Sequence, residues 1–594
     1  MPALDARTER AAVSDVLRPP AGYRIEACIG TTYSLEFDAF TGLLLALVGV
    51  EAEDPAQDPA AVLTTLASVR DRLRVFVNAG SLKPPTTAHR LFGRYDRVLR
   101  PVHLDGAFHP KVWVMKFVPL ERPEQRREAP IFRVLCASRN ATAASTWELG
   151  VTLEGTLGRT PSAFGSELAR FLRIVAGRST TVPSPIATML GELPRVGFET
   201  GREGAQDLRF EWQWPGTRQL RAALPAKASR ALLISPFLRV QFVERLCAAV
   251  DDLTIVSRQE ELDALPEATH ARLKDADVFV VTGQGDDEVK ALELHAKLLA
   301  WEHGTASETL IGSANGTTSA WGLGQIRNCE AMVALRPGVR VSEVYRAFVS
   351  DKKGTFHGWI EPYERQTLEV SEEDKAQREI DAAVRLIASV PLAGTYARDG
   401  HTLCIRLATG GVLPALPSTV TVELVPLLQQ HTAGWQPFSG LTTGLRFSPV
   451  ALADLSAFAL VRLKHRTGQG LEDTACLQFQ LDLPEKDWEA RDDAMNARLL
   501  ENVNVREILL NLLQGRVAGL SLASASSNRA SSSAVSLLGL VTIERVLEAC
   551  TADPTRVPQV DALLRACRED PTLDAFREFW ANLQQALGEG NPRV

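Results

Sequence analysis

The chain has 594 residues, 45% hydrophobic and 23% charged, which is enough for about three to four globular domains. Its net charge of −7 excludes a uniformly basic nucleic-acid coat and confines any polyanion site to a local patch. The eight scattered cysteines form no CxxC pair and no zinc-finger spacing, so we expect reduced thiols in a cytoplasmic protein. No signal-peptide core and no bilayer-length apolar run are present, so we expect no membrane contact.

The elements predicted in chain order divide the sequence into five segments. Strands and helices alternate twice, which is typical of a sheet covered by helices. Short strands separated by Gly/Pro turns follow, and then a helical stretch interrupted by serines. The predicted segments are a lead-in at 1–22, two α/β lobes at 23–203 and 204–362, a helix with a small antiparallel β-domain at 363–485, and a helical region with a Ser-rich linker at 486–594.

One short pattern occurs twice, once in each predicted lobe. A histidine and a lysine two residues apart introduce an apolar strand, and Ser-x-Asn ends the next one. Residues i and i+2 of a strand share a face, so each histidine is expected beside its lysine. Two copies in the same order indicate an internal duplication. The residues are His109, Lys111, Ser138 and Asn140 in the first copy, and His295, Lys297, Ser313 and Asn315 in the second.

These residue types suit the hydrolysis of a phosphodiester. Two imidazoles supply a nucleophile and a proton donor, while the lysines and asparagines hold the phosphoryl oxygens, without a metal or another cofactor. A carboxylate is expected to orient each imidazole, and the candidates are Glu148 or Glu154 in the first copy and Glu330 in the second. Ser138 and Ser313 are expected to contact the phosphate or the local turns, because no His/Asp relay surrounds them.

The doubled His-x-Lys…Ser-x-Asn pattern resembles the phospholipase D superfamily over about residues 23–354. The resemblance implies a duplicated bilobal α/β fold with mixed sheets and pseudo-two-fold symmetry. It also implies that one histidine forms a covalent phosphohistidine while the other protonates the leaving group. By order along the chain, His109 is assigned as the nucleophile and His295 as the acid.

One position departs from the family pattern. The aspartate of HxKxxxxD is replaced by Lys116 in the first copy and Glu302 in the second. Loss of this aspartate resembles the tyrosyl-DNA phosphodiesterase and endonuclease branch, and it favours nucleic acid over lipid as substrate. It also leaves open a degenerate first motif.

Basic and aromatic residues near the first motif suggest the substrate. Local arginines could follow a nucleic-acid backbone, and aromatic rings could stack on bases, although core packing is their commoner role. DNA is favoured over RNA as the partner. The candidate binding residues are Arg94, Arg97, Arg100 and Arg139, and the candidate stacking residues are Tyr95, Trp113, Trp147 and Trp321.

Three functions remain open from the sequence. The first is a metal-independent nuclease or DNA phosphodiesterase, and the second a phospholipase or phosphatidyl transferase, disfavoured by the absence of membrane-binding segments. The third is a catalytically inactive scaffold that binds nucleic acid. Family analogy adds restriction or antiphage defence, with a helicase or another defence-system protein as partner. The sequence leaves the oligomeric state undetermined.

Overall fold

The structure is a computed structural model. The break at 201–206 between the predicted lobes, the Ser-rich linker at 521–533, and all but the last residue of a charged loop predicted at 121–128 lie outside the residues that it describes. Within the described part of the chain, no helix is both long and apolar enough to cross a membrane. The described residues are 11–50, 59–85, 90–120, 128–179, 181–199, 207–281, 293–338, 340–345, 360–367, 371–399, 402–466, 470–500, 505–513, 543–554 and 556–589.

The first lobe is built on a seven-stranded mixed sheet. Its central strands are apolar on both faces, as expected for strands covered by other layers on each side. The strand at Leu73–Asn78 has the bounds that its apolar run predicts. In spatial order the strands are Val196–Glu199, Gly150–Leu157, Ile131–Ala137, Val112–Pro119, Tyr23–Thr32, Leu73–Asn78 and Leu99–Val102.

The second lobe contains an eight-stranded mixed sheet with a closely similar order. Tyr23–Thr32 and Ala228–Ile234 occupy equivalent places, because each pairs in parallel with the next long strand and antiparallel with the strand after a His-x-Lys segment. The mixed α/β class expected from the sequence is confirmed. In spatial order the strands are Asp207–Gln213, Glu330–Arg336, Ala306–Gly312, Leu298–His303, Ala228–Ile234, Val250–Ser257, Asp277–Val281 and Ile360–Pro362.

The two sheets share one hydrophobic core. Phe132 and Val134 of the first lobe belong to the same buried cluster as Phe210, Trp212 and Val333 of the second. Such close-packed apolar contact holds two layers in a fixed relative position. This core therefore brings together the ends of the strands Ile131–Ala137 and Ala306–Gly312, each of which is followed by a Ser-x-Asn motif. A two-stranded sheet, Thr146–Trp147 with Glu293–Leu294, also joins the lobes.

Helices cover the sheets and follow the last strands in the C-terminal region. The helix Glu372–Ala388 begins with a capping box formed by Ser371 and Asp374, which satisfies free amide groups of its first turn. The remaining helices are Val13–Leu17, Phe37–Leu47, Pro59–Val69, Ala163–Ala176, Ser184–Glu192, Val240–Ala249, Gln259–Asp263, Glu267–Arg272, Val341–Tyr345, Glu485–Leu499, Val505–Leu513, Ile543–Ala552, Arg556–Ala566 and Asp574–Glu589.

The C-terminal strands form a six-stranded and a four-stranded sheet. The six-stranded sheet includes two short strands from the first lobe, and its core is continuous with that lobe. The C-terminal β-structure therefore packs directly on the first lobe. The six strands are Leu35–Glu36, Leu82–Lys83, Glu472–Gln478, Phe458–His465, Val420–Pro426 and Gln436–Pro437, and the four are Leu445–Phe447, Thr402–Ala408, Ala393–Asp399 and Gln480–Asp482.

Candidate active site

The two His-x-Lys segments lie at the junction between the lobes. Each segment is extended and immediately precedes a strand, whereas the sequence placed it inside the strand. Each is also tied to the opposite lobe through its backbone. The amide of His109 donates to the carbonyl of Cys329 at 2.9 Å, and the amide of His295 donates to that of Trp147 at 3.0 Å.

The carboxylates that orient the histidines come from the opposite lobes. His109 Nδ1 lies 2.9 Å from Glu330 Oε2, and His295 Nδ1 lies 2.8 Å from Glu148 Oε1. Because an ionised carboxylate only accepts hydrogen bonds, each Nδ1 carries the proton and each Nε2 keeps a lone pair. Glu154, the other candidate in the first copy, instead pairs with Arg133 on the sheet surface. The geometry thus selects Glu148.

The two Ser-x-Asn serines hold these glutamates. Ser138 Oγ donates to Glu148 and Ser313 Oγ donates to Glu330. Each serine oxygen in turn accepts a backbone amide proton, from Leu149 at 2.9 Å in the first copy and from the residue after Glu330 at 3.0 Å in the second. The sequence expectation of phosphate or turn contacts is corrected here, because the hydroxyl protons are used to fix the carboxylates.

Two further residues support the glutamates and were missed in the sequence. Thr146 Oγ1 donates to Glu148 at 2.9 Å, and Asn328 Nδ2 donates to Glu330 at 3.0 Å. Asn328 Oδ1 also accepts from the backbone amide of Ala107, at 3.2 Å, just before the first histidine. A signal was present, since each copy carries a polar residue two positions before its glutamate.

Both lysines are buried beside the histidines. Lys111 Nζ donates to the carbonyl of His109 at 2.8 Å, and Lys297 Nζ donates to that of His295 at 2.6 Å. Burial lowers the pKa of Lys111 to about 8, against the opposing effect of the two glutamates. Burial and the charge of Lys111 lower the pKa of Lys297 well below its ordinary value. Each lysine side chain is thus held in place by the backbone carbonyl of the histidine two residues before it.

Burial also lowers the pKa of both histidines to about 4. The paired glutamate opposes this shift in each case, while the positive charges of Lys111 and Lys297 add to it. Burial alone would raise the pKa of Glu148, but the hydrogen bond from His295, the nearby positive charges and the Ser138 hydroxyl lower it to about 2. The free site therefore holds both imidazoles neutral at pH 7.

The asparagines are the remaining predicted site residues. The amide Oδ1 atoms of Asn140 and Asn315 are buried, and neither has a hydrogen-bond partner among the described residues. Buried polar atoms are nearly always paired, so an exception in the same position of both copies indicates a group whose partner lies outside the fold. A hydroxyl of a substrate can donate to these oxygens, whereas phosphoryl oxygens can accept only from the Nδ2 groups of the same side chains.

Three of the four predicted nucleic-acid-binding arginines are engaged inside the protein. Arg94 is buried and donates to Asn496 Oδ1 at 2.6 Å, while Arg97 stacks on Trp488. Arg100 donates to backbone carbonyls, including that of Leu99 at the start of its own strand. The contacts of Arg94 and Arg97 attach the C-terminal helix Glu485–Leu499 to the first lobe. The predicted basic patch is therefore not formed by these three residues.

Arg139 is the fourth predicted binding residue and adjoins Asn140. It is only partly buried, and its guanidinium donates to the carbonyl of Thr142 at 3.2 Å. Its position beside a Ser-x-Asn residue keeps it at the edge of the candidate site.

The aromatic residues proposed to stack on bases are in the core. Each is at most 7% exposed, so none presents a ring face to a ligand. Apolar surface of this size is normally buried, which is the physical reason that the stacking hypothesis was wrong for them. The residues are Tyr95, Trp113, Trp147 and Trp321.

Lys116, which replaces the motif aspartate in the first lobe, has a structural role there. Lys116 is largely buried and forms an ion pair with Glu192 at 2.6 Å, and its ammonium lies over the ring of Phe132. In the second lobe Glu302 lies on the strand Leu298–His303, where its carbonyl accepts the Ser229 hydroxyl at 2.8 Å. Lys116 therefore ties a helix to the first sheet.

Comparison with known proteins gave matches among solved structures. No family model matches the chain, and no curated protein sequence matches it. One mutant form of yeast tyrosyl-DNA phosphodiesterase has 10% identity and a TM-score of 0.36, over 55% of this chain and 85% of that one. A second mutant form has 11% identity and a TM-score of 0.35, over 54% and 86%. At these values the likeness concerns the fold alone.

Proposed function

We propose that this protein is a phosphodiester hydrolase that acts on nucleic acid through a covalent phosphohistidine. The observation that carries the proposal is the crossed pair of His–Glu hydrogen bonds, which fixes two histidines from different lobes and leaves both Nε2 atoms without a partner among the described residues. Two buried lysines accompany them. Nucleophile, proton donor and cationic phosphate ligands are the three requirements of phosphodiester hydrolysis.

In the first step, His109 Nε2 attacks the phosphorus atom. The nitrogen lone pair forms the N–P bond, the P–O bond to the leaving group breaks, and the leaving oxygen takes a proton from His295 Nε2. The lysines and the Asn140 and Asn315 amides bind the non-bridging oxygens. The Nδ1 proton of His109 stays on the imidazole ring, hydrogen-bonded to Glu330, and the Glu330 carboxylate stabilises the positive charge that develops on the attacking ring.

In the second step, water replaces the histidine. His295, now neutral, takes a proton from the water as its oxygen attacks phosphorus and the N–P bond breaks. His109 regains its lone pair and His295 its proton, so both groups return to their starting states. Each imidazole works through Nε2 because the glutamate of the opposite lobe occupies its Nδ1.

Charge balance couples the binding of an anionic diester to the uptake of one proton by the site. With both imidazoles neutral, the charges of Lys111 and Lys297 are matched by those of Glu148 and Glu330. A bound phosphodiester adds one negative charge, which raises the pKa of the neighbouring imidazoles and favours protonation of one of them. The substrate thereby supplies the condition that places a proton on the general acid.

Nucleic acid as the substrate class is supported by the motif and by the edge of the site. The missing motif aspartate resembles the nuclease branch of the superfamily, and Arg139 stands beside Asn140. A role in restriction or antiphage defence, beside a helicase or another defence protein, stays a prediction.

Labelled single-stranded and double-stranded DNA, incubated with the protein in EDTA, tests the proposal. Cleavage is expected, and both His109→Ala and His295→Ala are expected to abolish it. His303→Ala is the matched control, because this exposed histidine lies at the opposite end of the strand that follows Lys297. Cleavage that survives either motif substitution contradicts the mechanism, and DNA binding without any cleavage favours an inactive scaffold.

The covalent intermediate has a separate test. Alkaline quenching during turnover of a phosphate-labelled substrate should leave label on the protein, since the N–P bond of phosphohistidine is stable in base and labile in acid. Label mapped to the peptide that contains His109 supports the assigned roles, whereas label on the peptide that contains His295 reverses them.

A further inference from the structure

Phe237 is an exposed aromatic residue at the rim of the second half-site. It is 36% exposed, and the Arg258 guanidinium lies over its ring, 5.2 Å from the centroid. Single exposed apolar residues are common on protein surfaces and need no function by themselves. The position of Phe237 near Asn315 and the contacts that fix it distinguish this residue from other exposed apolar residues.

Phe237 is linked to both catalytic segments of the second lobe, through its backbone carbonyl on one side and through the Arg258 guanidinium over its ring on the other. Ser235 Oγ donates to the Phe237 carbonyl at 2.8 Å and accepts the amide of Gly316, the residue after Asn315, at 2.8 Å. On its other side Arg258 donates twice to the carbonyl of Leu294, the residue before the second histidine, at 2.8 and 3.0 Å. Phe237 is therefore fixed between the two ends of the half-site.

The first lobe has the same hydrogen bonds but no ring at this position. Thr32 Oγ1 donates to the carbonyl of Ser34 at 2.7 Å and accepts the amide of Ala141, the residue after Asn140, at 3.1 Å. Ser34 thus corresponds to Phe237. The neighbouring Tyr33 ring instead packs against the His109 imidazole in an edge-to-face arrangement, with 5.2 Å between centroids. An exposed ring is therefore a feature of the second half-site.

We propose that Phe237, backed by Arg258, is a stacking platform for an unpaired base next to the phosphodiester held by the site. This inference rests on the proposed function and narrows the substrate to nucleic acid that is unpaired next to the scissile bond. An aromatic face accepts any base, because every base has a π-face. The Arg258 charge, on the far side of the ring, adds attraction for the adjacent backbone phosphate.

The presence of Phe237 in one half-site and Ser34 at the equivalent place in the other is expected to fix the orientation of the bound nucleic-acid strand. The exposed Phe237 ring lies on the second lobe, so the nucleoside on that side of the scissile phosphate is expected to contribute to binding by stacking on it. The base is expected to affect KM more than kcat, since stacking acts on bound substrate and transition state alike.

Chromogenic probes with a defined scissile bond test the platform. Short oligothymidylates carry a p-nitrophenyl ester on the 3′ or the 5′ terminal phosphate, and matched probes replace the adjacent nucleoside with an abasic residue. With the ester that the wild-type protein cleaves, loss of the base is expected to lower kcat/KM by about 5- to 100-fold, mainly through KM. Phe237→Ala should cause the same loss for the base-bearing probe and none for the abasic probe.

The abasic probe also reports whether the variant is folded and active. Phe237→Trp should keep the preference for the base, and Leu386→Ala, at the same 36% exposure on a helix of the C-terminal region, should change neither probe. Equal loss on both probes with Phe237→Ala, or no loss on either, overturns the platform. Equal cleavage of both probes by the wild type also overturns the platform but leaves the proposed function standing, whereas cleavage of neither overturns both.

Discussion

The hydrogen bond between Glu148 and His295 gives the sharpest test of the crossed geometry. Glu148→Gln preserves the shape of the side chain and leaves one oxygen that can accept the Nδ1 proton of His295, but it removes the negative charge. In the wild type this carboxylate accepts from His295, Ser138 and Thr146. Its pKa of about 2 shows how strongly these partners favour the charged form.

The expected loss follows from the difference between a charged and a neutral acceptor. Hydrogen bonds to charged groups contribute about 1.5–3 kcal/mol, which corresponds to about 10- to 150-fold in kcat/KM. The loss should lie mainly in kcat, because the charge of Glu148 stabilises the imidazolium form of His295 more than it contributes to substrate binding. The measurement is steady-state cleavage of a chromogenic nucleotide ester by the purified variants, with circular dichroism confirming the fold.

Glu154→Gln is the matched control. The sequence offered Glu154 as an equal candidate, but the structure places it on the surface of the first sheet in an ion pair with Arg133. It should leave kcat/KM within about twofold, because exposed ion pairs contribute at most about 1 kcal/mol to stability. Wild-type activity in Glu148→Gln, or an equal loss in Glu154→Gln, would refute the crossed arrangement.

Three further predictions concern pH and stability. Both site histidines have a pKa of about 4, and one of them must be protonated to act as the acid, so kcat/KM should decrease from pH 5 to pH 8. Loss of the Lys111 charge near pH 8 should steepen this decline. A rise in kcat/KM over this range contradicts the assignment of a histidine as the acid. Arg491→Met should lower the free energy of unfolding, measured in urea, by about 3–5 kcal/mol. The reason is that Arg491 is fully buried and its loss leaves the Asp96 carboxylate without its ion-pair partner. A stability equal to that of the wild type would show that this ion pair does not hold the C-terminal helix. Lys116→Met removes the ion pair with Glu192 and should lower the free energy of unfolding by about 1–2 kcal/mol, while activity stays at the wild-type level. A large loss of kcat would instead show that Lys116 takes part in catalysis.

The C-terminal region changes how the first lobe can be interpreted. The segment at 90–100 carries a high density of arginines, which on sequence alone resembles a phosphate-binding surface. In the fold, the segment lies under the helix Glu485–Leu499, and Arg491 approaches it from that helix to pair with Asp96. Clustered positive charge in this chain is therefore partly an internal interface. The same charges would serve a polyanion only if the helix were absent.

The amino-acid sequence by itself determined the local elements and the chemistry of the site. Apolar runs placed the strand Leu73–Asn78, and helical periodicity predicted a helix at 370–390 where the structure has Glu372–Ala388, because such patterns depend on neighbours in the chain. The duplicated His-x-Lys and Ser-x-Asn spacing was likewise visible in one dimension. Spacing also placed Glu148 and Glu330 among the candidate carboxylates.

Only the tertiary structure decided which of these groups meet. Glu148 reaches His295, 147 residues along the chain, and Glu330 reaches His109 across 221 residues. No local pattern contains pairings of that length, because they follow from the packing of one sheet against the other. The same packing selected Glu148 over Glu154, turned the serines toward carboxylates, and buried the tryptophans while leaving Phe237 exposed. Residue chemistry is a property of the sequence, whereas the partner of each residue depends on which lobe it faces.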